Sequence, residues 1–211
     1  MPVVVAEYVV RWTTSPFGQV ADAPWRITLD APTHLTNALA KLPADYDVID
    51  DVAVHRTAII EPGAIIKGPA IVGPRCFVAA SAYLRGGVFM DEDCIVGPGA
   101  ELKTTFMFKG SKLAHFNFVG DSILGAGVNL EAGSIIANYR NELDDKVIRL
   151  RLGDRVIDTG VEKFGALMGD GTRVGANAVI APGAVFAKDA RVGRMSLVDQ
   201  YPFANGPTIR R

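Results

Sequence analysis

With 211 residues, 49% of them apolar and 21% charged, the chain has the size and make-up of one soluble globular domain plus a short extension. A formal net charge of -1 gives no reason to expect nucleic acid or an anionic membrane as a partner, and leaves room for a local basic site. The N-terminal MPVVVAEYVVRW lacks the basic start and the cleavage site of a signal peptide, and no run of about 18 apolar residues offers a membrane span. A cytoplasmic protein without a membrane contact is expected.

Residues 1–50 carry no repeat. VVVAEYVVRW and WRITL read as strands with PFGQVADAP as a loop between them. PTHLTNALAKL reads as one short helix with Leu35, Ala38, Leu39 and Leu42 on its apolar side. This small α/β unit is expected to cap the first coil of the repeat that follows, because an open sheet edge needs cover.

From Val54 a large apolar residue recurs every sixth position: Val54, Ile60, Ile66, Val72, Val78, Leu84, Met90, Val96, Leu102, Phe108, Ala114. Four residues after each comes a second register, small in its first eight members: Ala58, Ala64, Ala70, Cys76, Ala82, Val88, Cys94 and Ala100. A six-residue period fits neither an α-helix nor a free strand. It fits a three-faced prism, one hexad per face and about 18 residues per coil, with neighbouring coils stacked like parallel strands about 4.8 Å apart. Both registers are expected to point inward. Cys76 and Cys94 should then stack in the core as filler; two cysteines are too few for a disulfide framework.

Bulky polar residues interrupt the pattern. Arg85, Lys103 and His115 all stand directly after a residue of the large register. Arg85 and Lys103 are 18 residues apart, so they should project from one edge, one strand spacing apart. Two cations that close suit a phosphate, or else are solvated surface cations or pair with an acidic neighbour such as Glu101. His115 falls on another face, where an imidazole can serve as general base or simply sit in solvent. No H-x4-H pair exists, which argues against a three-histidine zinc site.

The register slips near Gly120 and resumes at Leu124, Leu130 and Ile136. NLEAGSIIANY supplies Asn129 and Asn138, either hydrogen-bonding side chains for a ligand or ordinary corner residues. The pattern breaks over 140–167, a loop excursion holding Lys146 and Lys163, and returns at Met168, Val174, Ile180, Phe186 and Val192. Domains are expected at 1–50 (cap), 51–195 (coil) and 196–211 (extended tail).

ELK, KGSKLAHFNFVGDSILG, GVNLEAGSIIANY and KFGALMGDGTRVGANAVIAPG together resemble the acetyltransferase domain of the bifunctional glucosamine-1-phosphate acetyltransferase/N-acetylglucosamine-1-phosphate uridylyltransferase family. The resemblance covers roughly residues 54–195. It implies an all-β, left-handed parallel β-helix of hexapeptide repeats that forms a homotrimer with sites between subunits. It implies acetyl-CoA as co-substrate, with no metal required for acyl transfer, and a sugar phosphate or nucleotide sugar as acceptor. By position in the motifs, His115 matches the catalytic base and Asn138 a second catalytic group. Arg85, Lys103, Phe118, Asn129 and Lys146 match acceptor-binding positions, and Tyr139, Lys163 and Arg194 cofactor-binding ones. Two residues depart from the pattern: Phe118 stands where a Tyr is usual, and Glu131 replaces a Gly, bringing a carboxylate close to Asn129. The family's uridylyltransferase domain has no counterpart in these 211 residues. The departures leave room for a non-catalytic trimeric sugar-phosphate-binding or regulatory protein, or for a sugar O-acetyltransferase using the same His.

Overall fold

The computed structural model describes residues 3–201. Its body is a parallel β-helix with three faces. On the first face the two-residue strands Ile59–Ile60, Phe77–Val78, Ile95–Val96, Lys112–Leu113, Asn129–Leu130, Arg173–Val174 and Arg191–Val192 stack in one seven-stranded sheet. The second and third faces share a larger sheet, because Tyr83–Met90, Glu101–Met107 and Phe118–Leu124 run through the corner between them.

The interior follows the hexads closely. Leu84, Met90, Val96 and Leu102 are fully buried in one continuous core, each stacked on its equivalent in the next coil. Two steps, however, are five residues long: Leu102 to Met107, and Val119 to Leu124. The inward residues are therefore Met107 and Leu113, and the expectation of Phe108 and Ala114 inside was wrong by one position. Continued in steps of six, the small register would also place Phe106, Lys112 and Phe118 inside; Phe106 instead packs in the outer cluster, Lys112 is exposed, and Phe118 is half-buried on the outside. The physical reason is that FMF is apolar throughout, so alternation alone decides which residue points in.

Cys76 and Cys94 lie in this core one coil apart, both buried and both free thiols. The neighbouring Cys76 thiol and burial push the Cys94 thiol up. A thiol-specific chromogenic reagent is expected to detect neither group in the native protein and both after denaturation. Fast native labelling would show that the core opens there.

The third face carries a second apolar ladder on its outer side. Ile71, Phe89, Phe106, Ile123, Leu167 and Val185 pair in register from coil to coil. None is more than 6% exposed. The N-terminal segment covers them. Trp12 and Phe17 place their rings 6.1 and 5.0 Å from that of Phe106, and the helices Pro24–Leu29 and Ala31–Leu39 pack beside them.

The N-terminal segment thus lies along the side of the coil, not over its first turn. Its local structure also differs from expectation. VVVAEYVVRW folds as the helical turns Val5–Tyr8 and Val10–Thr14, and WRITL lies in the helix Pro24–Leu29. Burial against the aromatic ladder overrides the strand preference of these β-branched residues, and Pro24 at the first helical turn sets the dihedral for the second helix. The expected helix is present as Ala31–Leu39. The edge of the larger sheet is met instead by Tyr46–Ile49, antiparallel to Val52–His55 through Asp50 and Asp51, whose φ of 48° and 60° suit a two-residue hairpin.

The excursion leaves the coil at the corner between the second and third faces. It forms the hairpin Arg149–Leu152/Arg155–Asp158, with Ile148 and Leu150 buried in the cluster on the third face. Arg140, at its root, is buried and bonded to Asp199 at 2.6 Å. The last described strand, Leu197–Val198, still stacks on the coil; residues 202–211 of the expected tail lie outside the described residues. Among the described residues no helix is long and apolar enough to cross a membrane.

Candidate active site

The second face is bounded by two edges, and the sequence-predicted residues divide between them. At the edge towards the third face, Arg85 follows Leu84 and Lys103 follows Leu102, directly in register as expected. Lys67 precedes them by one coil, because Ile66 pairs with Leu84. The Lys67 ammonium and the Arg85 guanidinium both approach the Tyr83 ring, 5.3 and 5.7 Å from its centroid.

Each of the two predicted cations has a carboxylate partner from the protein. Arg85 contacts Glu101 at 2.6 Å, the alternative to a phosphate left open by the sequence. Lys103 Nζ donates to both oxygens of Asp121, at 3.0 and 2.7 Å. Asn138 Nδ2 donates to the same carboxylate. Gly120 makes this possible: a Cβ there would lie 2.6 Å from Asn138 Cγ. Lys103, Asp121 and Asn138 form one network in which Asp121 is 5% exposed. Phe164 N donates to Asn138 O at 3.0 Å, which sets the returning excursion, and with it exposed Lys163, beside this edge. Lys146 Nζ sits 5.4 Å from the Tyr139 ring centroid and donates to Asn141 O.

His115 stands at the other edge, between the first and second faces. The one-residue shift puts it two positions after the inward residue, Leu113, not one. Its side chain is exposed and has no hydrogen-bond partner among the described residues. Its neighbour Phe116 is 73% exposed at φ 51°, with its ring over Gly99, where a Cβ would come within 2.6 Å of it. Phe118 lies on the second face between the two edges, in register with Glu101 and Ile135.

One coil further on, Asn129, Glu131 and Arg194 line a shallow recess of about 330 Å3 with Arg173 and Arg191. Glu131 bonds across two coils to Arg194 at 2.8 and 3.0 Å, and accepts from Ala176 N. The Arg194 hydrogen bond holds the Glu131 carboxyl below its ordinary range. This pair is exposed, so Arg194→Ala is expected to leave the melting temperature unchanged within error. A clear drop would show that the clasp is structural.

The structure therefore groups Arg85, Lys103 and Asn138 on one edge and His115, Asn129 and Arg194 near the other. Sequence reading missed Asp121, Lys67 and Tyr83. The 18-residue ruler could have found two of them: Asp121 stands 18 residues after Lys103, and Lys67 stands 18 before Arg85. Among the described residues no group of three His, Cys, Asp or Glu side chains could hold a metal ion.

No protein-family model matches the chain. The bifunctional protein GlmU of Methanococcus vannielii is 30% identical over 183 residues, covering 84% of this chain and 43% of that protein. A bifunctional sugar-1-phosphate nucleotidylyltransferase/acetyltransferase of Sulfurisphaera tokodaii is 33% identical over 175 residues, covering 80% and 43%. A solved hexapeptide transferase family protein from Anaplasma phagocytophilum aligns with a TM-score of 0.40 and 19% identity, over 69% of this chain and 72% of that one. The chain spans less than half the length of the two curated relatives, and an alignment over four-fifths of it necessarily includes most of the coil. Over that span the chain belongs with the GlmU-type bifunctional proteins and corresponds to their hexapeptide-repeat, acetyltransferase part.

Proposed function

We propose that this chain is an acyltransferase that moves an acetyl group from acetyl-CoA to the amine of a phosphorylated or nucleotide-linked sugar. The observation that carries this reading is the exposed His115 imidazole, without a hydrogen-bond partner among the described residues, at the edge of a coil related to an acetyltransferase. In the step, the amine attacks the thioester carbonyl, the N–C bond forms and the C–S bond breaks. A ring nitrogen of His115 takes the amine proton and passes it to the departing sulfur, so that CoA leaves as the thiol. Asn138 supplies an amide N–H to the developing oxyanion. Holding both substrates side by side supplies much of the acceleration.

Arg85 and Lys103 are assigned to the acceptor phosphate. Arg85 exchanges Glu101 for a phosphate at little cost, because that pair is about one-third exposed on both sides. Phe118, Asn129 and Lys146 are assigned to the acceptor, and Tyr139, Lys163 and Arg194 to the co-substrate.

His115 and Lys103 lie at opposite edges of one face, so a single chain does not bring them to one substrate. A homotrimer with each site between two copies does. Its support is an outer apolar stripe on the second face, where Ile65, Ile135, Val179 and Leu197 are 36–72% exposed. We place this trimer in the cytoplasm.

A second reading, a non-catalytic sugar-phosphate-binding or regulatory trimer, is favoured by one observation: both cations of the basic pair are already neutralised by Glu101 and Asp121. Calorimetric titration with acetyl-CoA separates the two. Saturable binding is expected for the acyltransferase, and its absence favours the binding protein. If acetyl-CoA binds, the product of the acetylated sugar distinguishes an amide from an O-acetyl ester.

A further inference from the structure

His115 is the first of a row of residues along its edge. Leu113, Leu130, Val174 and Val192 stack in register. Two positions on, His115, Ala132, Ala176 and Arg194 therefore follow one another from coil to coil. Gly133 N, Asn177 N and Met195 N hold this row by donating to the carbonyls of His115, Ala132 and Ala176 at 2.9, 3.0 and 2.9 Å. Three strand spacings, about 14 Å, separate its ends, and the two residues between them carry only methyl groups. About a dozen bonds join the sulfur of CoA to its first phosphorus, a reach of roughly 15 Å for an extended chain. With the thioester at His115, the phosphates arrive at Arg194, in the recess it lines with Arg173 and Arg191.

That anion position is already filled from within the chain. Arg194 donates through Nε and Nη2 to the two Glu131 oxygens, at 2.8 and 3.0 Å, and Ala176 N donates to the same carboxylate at 2.9 Å. Three N–H groups converging on one carboxylate make the kind of charge-assisted contact that holds a bound anion. The next two coils carry glycine at the position of Glu131, Gly175 and Gly193. A Cβ on Gly175 would lie 2.9 Å from Arg194 Cγ, so glycine lets the arginine lie against the corner and meet Glu131. The clasp is exposed and adds little to stability. Glu131 is the one acid on the lining of the recess. Arg173 and Arg191, in register on neighbouring coils, have no acidic partner among the described residues. The carboxylate thus neutralises the one arginine that stands in the His115 row.

We propose that Glu131 is an internal competitor for the co-substrate phosphate, which displaces it from Arg194, so that Glu131 sets the affinity for acetyl-CoA and for the CoA that leaves. This rests on the acetyl-CoA reading and gives a role to a residue which that reading leaves without one. Arg173 and Arg191 keep the recess cationic while the exchange takes place.

The test is calorimetric titration of acetyl-CoA and of CoA into the full chain and into Glu131→Gln, Arg194→Ala and the double variant. Glutamine keeps the shape of the side chain and removes its charge. Both ligands should bind Glu131→Gln about fivefold more tightly, the effect of removing one unit charge about 4 Å away in water. Arg194→Ala should weaken both, and the double variant should lose the gain, because the competition runs through Arg194. Equal or weaker binding by Glu131→Gln overturns the proposal and leaves the acetyl-CoA reading standing. A gain that persists without Arg194 does the same. If none of the four proteins binds either ligand, the reading and the proposal fall together.

Discussion

Replacing His115 by alanine is expected to lower acyl transfer by about 10²–10⁴-fold, the usual contribution of a positioned general base. The same change should leave the melting temperature where it was. His115 is exposed and its side chain makes no hydrogen bond among the described residues, so no packing or pairing is lost. Its backbone carbonyl accepts from Gly133 N, and an alanine keeps that bond. Acetyl-CoA affinity should also persist, because the imidazole is assigned to proton transfer. Steady-state kinetics, a thermal melt and a calorimetric titration on one preparation give all three. A turnover within a few-fold of the parent chain would remove His115 from the mechanism.

Asp121→Ala is expected to cost stability as well as activity. Asp121 is nearly buried, and its carboxylate holds Lys103 through both oxygens and Asn138 through its amide. The Lys103 side chain is 18% exposed, so removing its partner leaves a largely buried ammonium uncompensated. Breaking such a pair costs roughly 3–5 kcal/mol. The double variant Asp121→Leu with Lys103→Met should recover most of this loss, since it removes both charges and fills the space. Urea denaturation of the three proteins reads the comparison. If Asp121→Ala alone stays within about 1 kcal/mol of the parent, the pair is a surface interaction and does not organise the edge. If the double variant recovers stability but not activity, the Lys103–Asp121–Asn138 network serves the reaction and not only the fold.

The hexad was legible because each large residue has to meet its equivalent one coil on. That rule fixed Val72 to Leu102, the stacked cysteines and the Arg85–Lys103 register from spacing alone. It failed at Phe106–Met107–Phe108, where all three residues are apolar and the inward one cannot be told by type. That failure moved His115 by one position relative to the core. The outer ladder Ile71–Phe89–Phe106–Ile123 was also present in the sequence, at nearly one-coil spacing, and it signalled that something covers the third face. Spacing alone does not say what covers that ladder, because the N-terminal segment carries no repeat that ties it to one face of the coil. Asp121 was passed over for a related reason. A carboxylate beside Gly120 looks like a corner residue until Lys103 and Asn138 are seen to converge on it.

The acyltransferase account stands or falls on free-thiol release from acetyl-CoA by the full chain in the presence of amino-sugar phosphates, glucosamine-1-phosphate among them. Release that requires an amino sugar bearing phosphate, saturates with it and collapses in His115→Ala is the predicted result. Release that is the same with and without the sugar, or none with any amino sugar tested, would contradict it.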